Sequence, residues 1–214
     1  MKRLLALVAL IVAGSIGKAE AATITFDDLL FLDPAGIGGD RISGGFLFDT
    51  ANDHSHIVTV GSGSENGTQF MIIDDQGGVH PPGSANATTI SQGGALFGLT
   101  SIDISEVDRF TTFARQVQVT GNLFGGGTVS TVLSLDAVFF EAIPANYFQT
   151  FTFDATWNNL TSVVLTGAGA PTPDRNYYAI DNVVVSSAVP EPGTLTLVGL
   201  GSAYLIRRRR QHRH

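Results

Sequence analysis

The sequence predicts an all-β chain folded as an antiparallel β-sandwich of the jelly-roll kind. Three observations lead there. No run between residues 22 and 188 carries a 3.6-residue apolar period bounded by caps, whereas short alternating or β-branched segments recur between glycine and asparagine clusters. No crossover helices separate those segments, which argues against a parallel sheet. The chain also has no cysteine, so no disulfide or thiolate metal site can brace the fold and packing alone must hold it.

The candidate strands, taken in order, are residues 23–26, 45–48, 56–60, 69–73, 95–104, 110–120, 128–135, 148–153, 162–166 and 177–186. In 128–135 the apolar Val129, Leu133 and Leu135 share one face with Thr131, the half-buried pattern of an antiparallel sheet. Gly125-Gly126-Gly127 separates that strand from the one before it and reads as a hairpin turn, because glycine accepts positive φ without a steric penalty.

Both ends read as targeting segments rather than as fold. Lys2 and Arg3 precede an apolar run, Leu4 to Ala13, and Ala19-Glu20-Ala21 places small residues at the −3 and −1 positions of a signal peptidase site. Cleavage is expected after Ala21, because the apolar run falls short of the ~20 residues that span a bilayer. At the other end, Pro190-Glu191-Pro192 is followed by an apolar, glycine-bearing stretch and then by Arg207-Arg208-Arg209-Arg210. The prolines keep the motif extended, and Pro192 suits the first turn of a helix. From Gly193 to Ile206 such a helix covers only about 21 Å of a ~30 Å hydrocarbon core. The four arginines act as a basic stop on the cytoplasmic side, which leaves the preceding domain outside. The expected division is a signal peptide at 1–21, a β-sandwich domain at 22–188 and a sorting tail with a short transmembrane helix at 189–214.

The order of proline-framed glutamate, short apolar helix and basic terminus resembles the PEP-CTERM sorting signal. That resemblance implies recognition through Pro190, Glu191 and Pro192 by an exosortase, an integral-membrane cysteine protease of Gram-negative bacteria that also make exopolysaccharide. It further implies a transient inner-membrane anchor, then release to the cell surface or extracellular matrix. The segment 95–186, with Val119 to Val129, Phe148 to Phe153, Trp157 to Val163 and Ala179 to Val185, looks like the C-terminal half of jelly-roll domains found in many PEP-CTERM proteins, which are similar to galactose-binding-like and carbohydrate-binding sandwiches.

Charge narrows the partners. Eight of the twelve basic residues lie in the two ends, so the middle segment sets four arginines, and no lysine, against seventeen acids, a balance of −13. Such a surface repels phosphate backbones, which excludes nucleic acid, and it favours cations. Asp27 and Asp28 follow the first strand while Asp181 and Asn182 lie in the last one. If the terminal strands run side by side, these oxygens converge on a hard cation, and calcium takes six to eight oxygen ligands. The alternative is that Asp181 and Asn182 bond nearby backbone and close the sandwich.

Trp157 and Tyr178 are candidates for stacking on a sugar ring, with core packing as the competing role for Trp157. His54 and His56 leave one face of a strand, but two histidines are not a site, and both are expected in surface loops. Asp74, Asp75, Asp103, Glu106 and Asp108 supply carboxylates, yet a glycosidase needs two of them about 5–10 Å apart. No serine-hydrolase elbow, phosphate loop, dinucleotide fingerprint or HExxH is present, so no enzyme is expected. The leading expectation is a non-catalytic, exported matrix protein that associates with exopolysaccharide in biofilm. A structural or adhesive protein contacting other proteins or itself is the alternative, and a glycan-modifying enzyme comes third.

Overall fold

Among the described residues twelve strands form two sheets that enclose an apolar core between them, and a smaller buried cluster gathers Phe70, Ile72, Val107, Phe148, Tyr177 and Ala179. The computed structural model describes residues 21–29, 39–51, 55–58, 67–74, 86–107, 113–136, 147–171 and 176–187. The strands are β1 (Ala21–Ile24), β2 (Arg41–Ser43), β3 (Phe46–Thr50), β4 (Ser55–Val58), β5 (Phe70–Ile73), β6 (Ala87–Ser91), β7 (Phe97–Glu106), β8 (Gln116–Leu123), β9 (Thr128–Ser134), β10 (Gln149–Thr152), β11 (Leu160–Ala168) and β12 (Tyr178–Ser187). All pairings between them are antiparallel.

One sheet runs β2-β3-β6-β11-β8-β9, and the other runs β4-β5-β12-β7-β10, with β1 pairing the C-terminal half of β12. The two touch through a single pair, Leu160 with Phe97. From β5 onward the chain passes repeatedly from one sheet to the other, as an antiparallel sandwich requires. Phe46, Phe48, Ile90, Val117, Val119, Val163 and Leu165 meet Ile24, Met71, Ile102, Ile104, Tyr178, Ile180 and Val183 in one buried cluster, so each sheet contributes its inward alternate residues.

All ten expected strands are present, with ends shifted by a few residues, and two more join them. The segment expected at 110–120 begins later, at Gln116. The additional strands are β2 and β6. Ser43 pairs with Phe46 across Gly44 and Gly45, whose φ values of 56° and 80° make a two-residue turn that matches the twist of its strands. The glycine triplet also turns as expected, with φ of 87°, 102° and 87° at Gly125, Gly126 and Gly127. β9 shows the expected alternation, Leu133 buried and Val129 and Thr131 half-buried against exposed neighbours.

Ala21–Ser187 forms one compact unit. Ala21 opposite Ser186 is the terminal pair of β1 with β12, so cleavage after Ala21 would remove one pair and leave Ile24 in the core. No helix among the described residues is long and apolar enough to cross a membrane. Ala19, Pro190, Glu191, Pro192, the apolar stretch after them and Arg207 to Arg210 lie outside the described residues.

Candidate functional site

Four adjacent strands, β6, β11, β8 and β9, contain no charged residue, although seventeen acids are distributed over the segment that holds them. Their outward side chains form rows across the sheet. Ser91, Ser162, Asn122 and Thr128 are directly opposite one another in one row, and Thr89, Val164, Thr120 and Ser130 form the next. Ala87, Thr166, Gln118 and Val132 form a third. Strand spacing makes this face about 15 Å wide. Alternation explains it: Val117, Val119, Val163 and Leu165 are buried inward, which turns the short polar residues between them outward.

Within the first row Asn122 donates through Nδ2 to Ser162 Oγ at 2.8 Å, which fixes the amide and leaves its carbonyl oxygen as an acceptor. Phe124 follows Asn122 by two residues, at the hairpin between β8 and β9. It is 69% exposed and is the one aromatic among the exposed large hydrophobic residues described. The face therefore presents neutral donors and acceptors, and the hairpin at one end of it carries an exposed aromatic ring. Its signal in the sequence was the alternation Gln116, Gln118, Thr120, Asn122 between Val117 and Val119.

The aromatic pair singled out from sequence is placed otherwise. Trp157 is 4% exposed and packs on Phe153, with ring centroids 4.7 Å apart. Tyr178 is fully buried and donates its hydroxyl to the Leu165 carbonyl at 3.0 Å; burial pushes that hydroxyl's pKa far above the ordinary phenol range. Neither ring is available to stack on a sugar. Both were legible as aromatics, but inward orientation depends on the strand register and on the short 3-10 turn Ala155–Trp157, which Asp154 caps by accepting from the Thr156 N–H.

Of the proposed cation ligands, Asp28 turns to partners of its own. β1 does lie beside β12, and Asp27 and Asp181 are linked through consecutive residues: the Gln69 N–H donates to Asp27 at 3.3 Å and Thr68 Oγ1 donates to Asp181 at 2.9 Å. Asp28 instead reaches the β2–β3 turn, accepting from Ser43 Oγ and from the Gly44 N–H at 3.0 Å. Asn182 donates to Asp103 at 2.8 Å, while the other Asp181 oxygen accepts from the Asn182 N–H. Asn182 has φ of 45° at a bulge where the β12–β7 register shifts. The bonds from Asn182 to Asp103 and from Thr68 to Asp181 tie neighbouring parts of one sheet together. Among the described residues no three histidine or carboxylate side chains group closely enough to hold a metal ion.

The hydrogen bonds from Ser43 and Gly44 hold the Asp28 pKa below its ordinary value. A depressed carboxylate stabilises the fold above its unfolded pKa and loses that contribution as pH falls through its folded value. Asp28→Asn is therefore expected to lower the melting temperature at pH 7, with the difference from the parent protein shrinking steadily below a pH of about 3.9. Calorimetry across that range checks it, and a difference independent of pH would contradict it.

Among the described carboxylates, Asp103 stands directly opposite Asp181 in the β7–β12 ladder, and hydrogen bonds from Thr150, Asn182 and Thr68 engage the two. Asp103 points away from the core whereas Glu106 lies on the Ile102 and Ile104 side of β7, and Asp74 is engaged by His56 at 3.0 Å. Asp75 and Asp108 lie outside the described residues. His56 itself is a correction: it is 3% exposed within β4 and not a surface-loop histidine, while His54 lies outside the described residues.

The PEP-CTERM protein-sorting motif matches residues 188–210, beginning one residue after β12 ends. The chain thus carries the sorting signal of an exported, exosortase-processed protein. A comparison with curated protein sequences returns no match. Among solved structures, an exo-β-agarase is similar over 81% of this chain at 11% identity and a TM-score of 0.48, and this chain spans 25% of its length. TmCBM61 in complex with β-1,4-galactotriose matches 73% of this chain and 97% of its own at 10% identity, TM-score 0.37. CBM32-3 from a family 31 glycoside hydrolase of Clostridium perfringens matches 80% and 91% at 12% identity, TM-score 0.33.

Proposed function

We propose that this protein is exported through its N-terminal segment, released after exosortase acts at Pro190-Glu191-Pro192, and then associates without catalysis with extracellular polysaccharide of a biofilm matrix. The observation that carries the glycan reading is the uncharged outward face of β6, β11, β8 and β9, with Phe124 at its end. Sugar hydroxyls are neutral donors and acceptors, and they pair with amide and hydroxyl side chains without desolvating an ion. An exposed phenyl ring adds an apolar surface for the C–H face of a pyranose. Acids elsewhere keep the domain soluble and repel anionic surfaces, so a neutral polymer is the partner this face suits.

The test is retention of the released protein on the host's own neutral polysaccharide. Asn122→Ala and Phe124→Ala should each weaken binding by roughly threefold to tenfold, from one lost hydrogen bond or one lost ring contact worth about 0.5–1.5 kcal/mol. Thr23→Ala, on β1 in the other sheet, should leave it unchanged. Chelator is expected to have no effect, because the contact is made by neutral side chains. Equal retention of all three variants, or loss of retention in chelator, would refute the assignment of this face.

A further inference from the structure

We propose that β9 is a docking edge for a second copy of this chain, and that two copies join their six-stranded sheets by antiparallel pairing of Thr128–Ser134 about a two-fold axis at Thr131. Among the described residues β9 pairs with β8 and with no other strand, and Thr128, Ser130, Val132 and Ser134 along it are exposed. Which groups face that edge follows from the ladder. Leu123 N donates to Gly127 O and Leu135 N donates to Arg115 O, and these bonded pairs bracket β8 and β9. Antiparallel pairs alternate between bonded and non-bonded, so Val129, Thr131 and Leu133 spend their N–H and C=O groups on β8. Thr128, Ser130, Val132 and Ser134 therefore turn theirs outward.

Natural edge strands of this length are blunted by lysine, proline, inward charge or a covering loop, because an open edge is a template for another strand. β9 carries no charge and no proline, is rich in β-branched residues, and presents Val132 at 55% exposure. The strand is also complementary to itself. With Thr131 on the axis, Thr128 faces Ser134 and Ser130 faces Val132, so every outward-turned residue meets another of the same set. On the opposite face Val129 meets Leu133, extending the apolar alternation. Asp136, the nearest acid, falls opposite Gly126 and finds no like charge. In a domain with a balance of −13, an acid-free edge is where two copies can approach with least repulsion. One strand pair buries little area, so the association is weak, and it strengthens with salt as the long-range repulsion is screened.

The natural absence of cysteine makes the test direct. Facing residues on the axis form a non-bonded antiparallel pair with Cα atoms about 4.5 Å apart, within disulfide reach. In the full chain, Thr131→Cys under mild oxidation is expected to give a covalent homodimer, with a yield that rises with protein concentration and with salt. Thr89→Cys, on the interior strand β6, should give at least tenfold less. Adding Ser130→Pro removes an outward N–H that β8 does not use, and should suppress the Thr131→Cys dimer by about the same factor. Val132→Lys serves the same purpose should the proline variant fail to fold. Equal cross-linking at the two cysteine positions, mixed adducts with other proteins in place of the homodimer, or an undiminished yield in both edge variants would overturn the proposal. None of these readouts uses polysaccharide.

Discussion

Gly167→Ala is expected to destabilise the domain more than a methyl group added at any other glycine described. A Cβ built there lies 2.2 Å from the Asn176 carbonyl oxygen and 3.0 Å from Tyr178 Cδ1, far inside contact distance. The clash is with backbone, and that backbone is held on both sides. Ala170 N donates to Asn176 Oδ1 at 2.8 Å, Ala114 N donates to Tyr177 O, and Gly167 N itself donates to Asn86 O at 3.1 Å. At Gly98 a Cβ meets only the side-chain atoms of Asn158 and Ser186, which can swing aside. Overpacking that cannot relax costs about 3 kcal/mol or more, which lowers the melting temperature of a domain this size by roughly 6–12 °C. Thermal melting of the variant beside Gly98→Ala checks both size and order, and a shift under 2 °C would mean that the Asn176 carbonyl is not fixed as described.

What the sequence made legible follows from where its apolar residues sit. β8 and β9 were readable because Val117 and Val119 alternate with polar residues and Gly125 to Gly127 must turn. β6 was not, because its inward positions are Thr88 and Ile90, and a threonine buried to 0% looks polar in any count of alternation. β2 escaped for a different reason: its three residues include only one apolar side chain, and that one, Ile42, points out at 66% exposure. The Gly44-Gly45 turn was the remaining signal for it.

At the candidate site the limits were tertiary. The cation reading was conditional on the terminal strands running side by side, and they do, but sequence could not foresee that Asp28 would turn toward Ser43 while Asn182 turned toward Asp103. The uncharged face needed the pairing order β6-β11-β8-β9, since its strands are separated in the chain by β7 and β10. Local alternation says which side chains share a face of one strand; only the pairing says which strands share a sheet.

Trp157→Ala is the second large effect expected, and it separates a core aromatic from a ligand-stacking one. The ring closes the end of the core beside Leu160 and lies over β8, where a Cβ at Gly121 would come within 3.2 Å of Trp157 Cε3. Leu160 Cδ2 at 2.8 Å and Val129 Cγ1 at 3.0 Å crowd the same position still more closely, and the three side chains together account for a glycine in the middle of β8, where it otherwise weakens a strand. Removing a buried tryptophan costs about 3–5 kcal/mol, because the packed surroundings cannot collapse onto the space it leaves. The melting temperature should fall by roughly 6–20 °C. As the chain's single tryptophan, Trp157 also reports on itself. Its emission should be that of a buried indole in the native protein, shift to the red on unfolding, and stay unmoved by saturating polysaccharide. The folded fraction of Trp157→Ala should bind polysaccharide as the parent does, whereas Phe124→Ala should melt as the parent does and bind less. A red native emission or quenching by sugar would place the indole at the surface and return Trp157 to the list of ligand contacts.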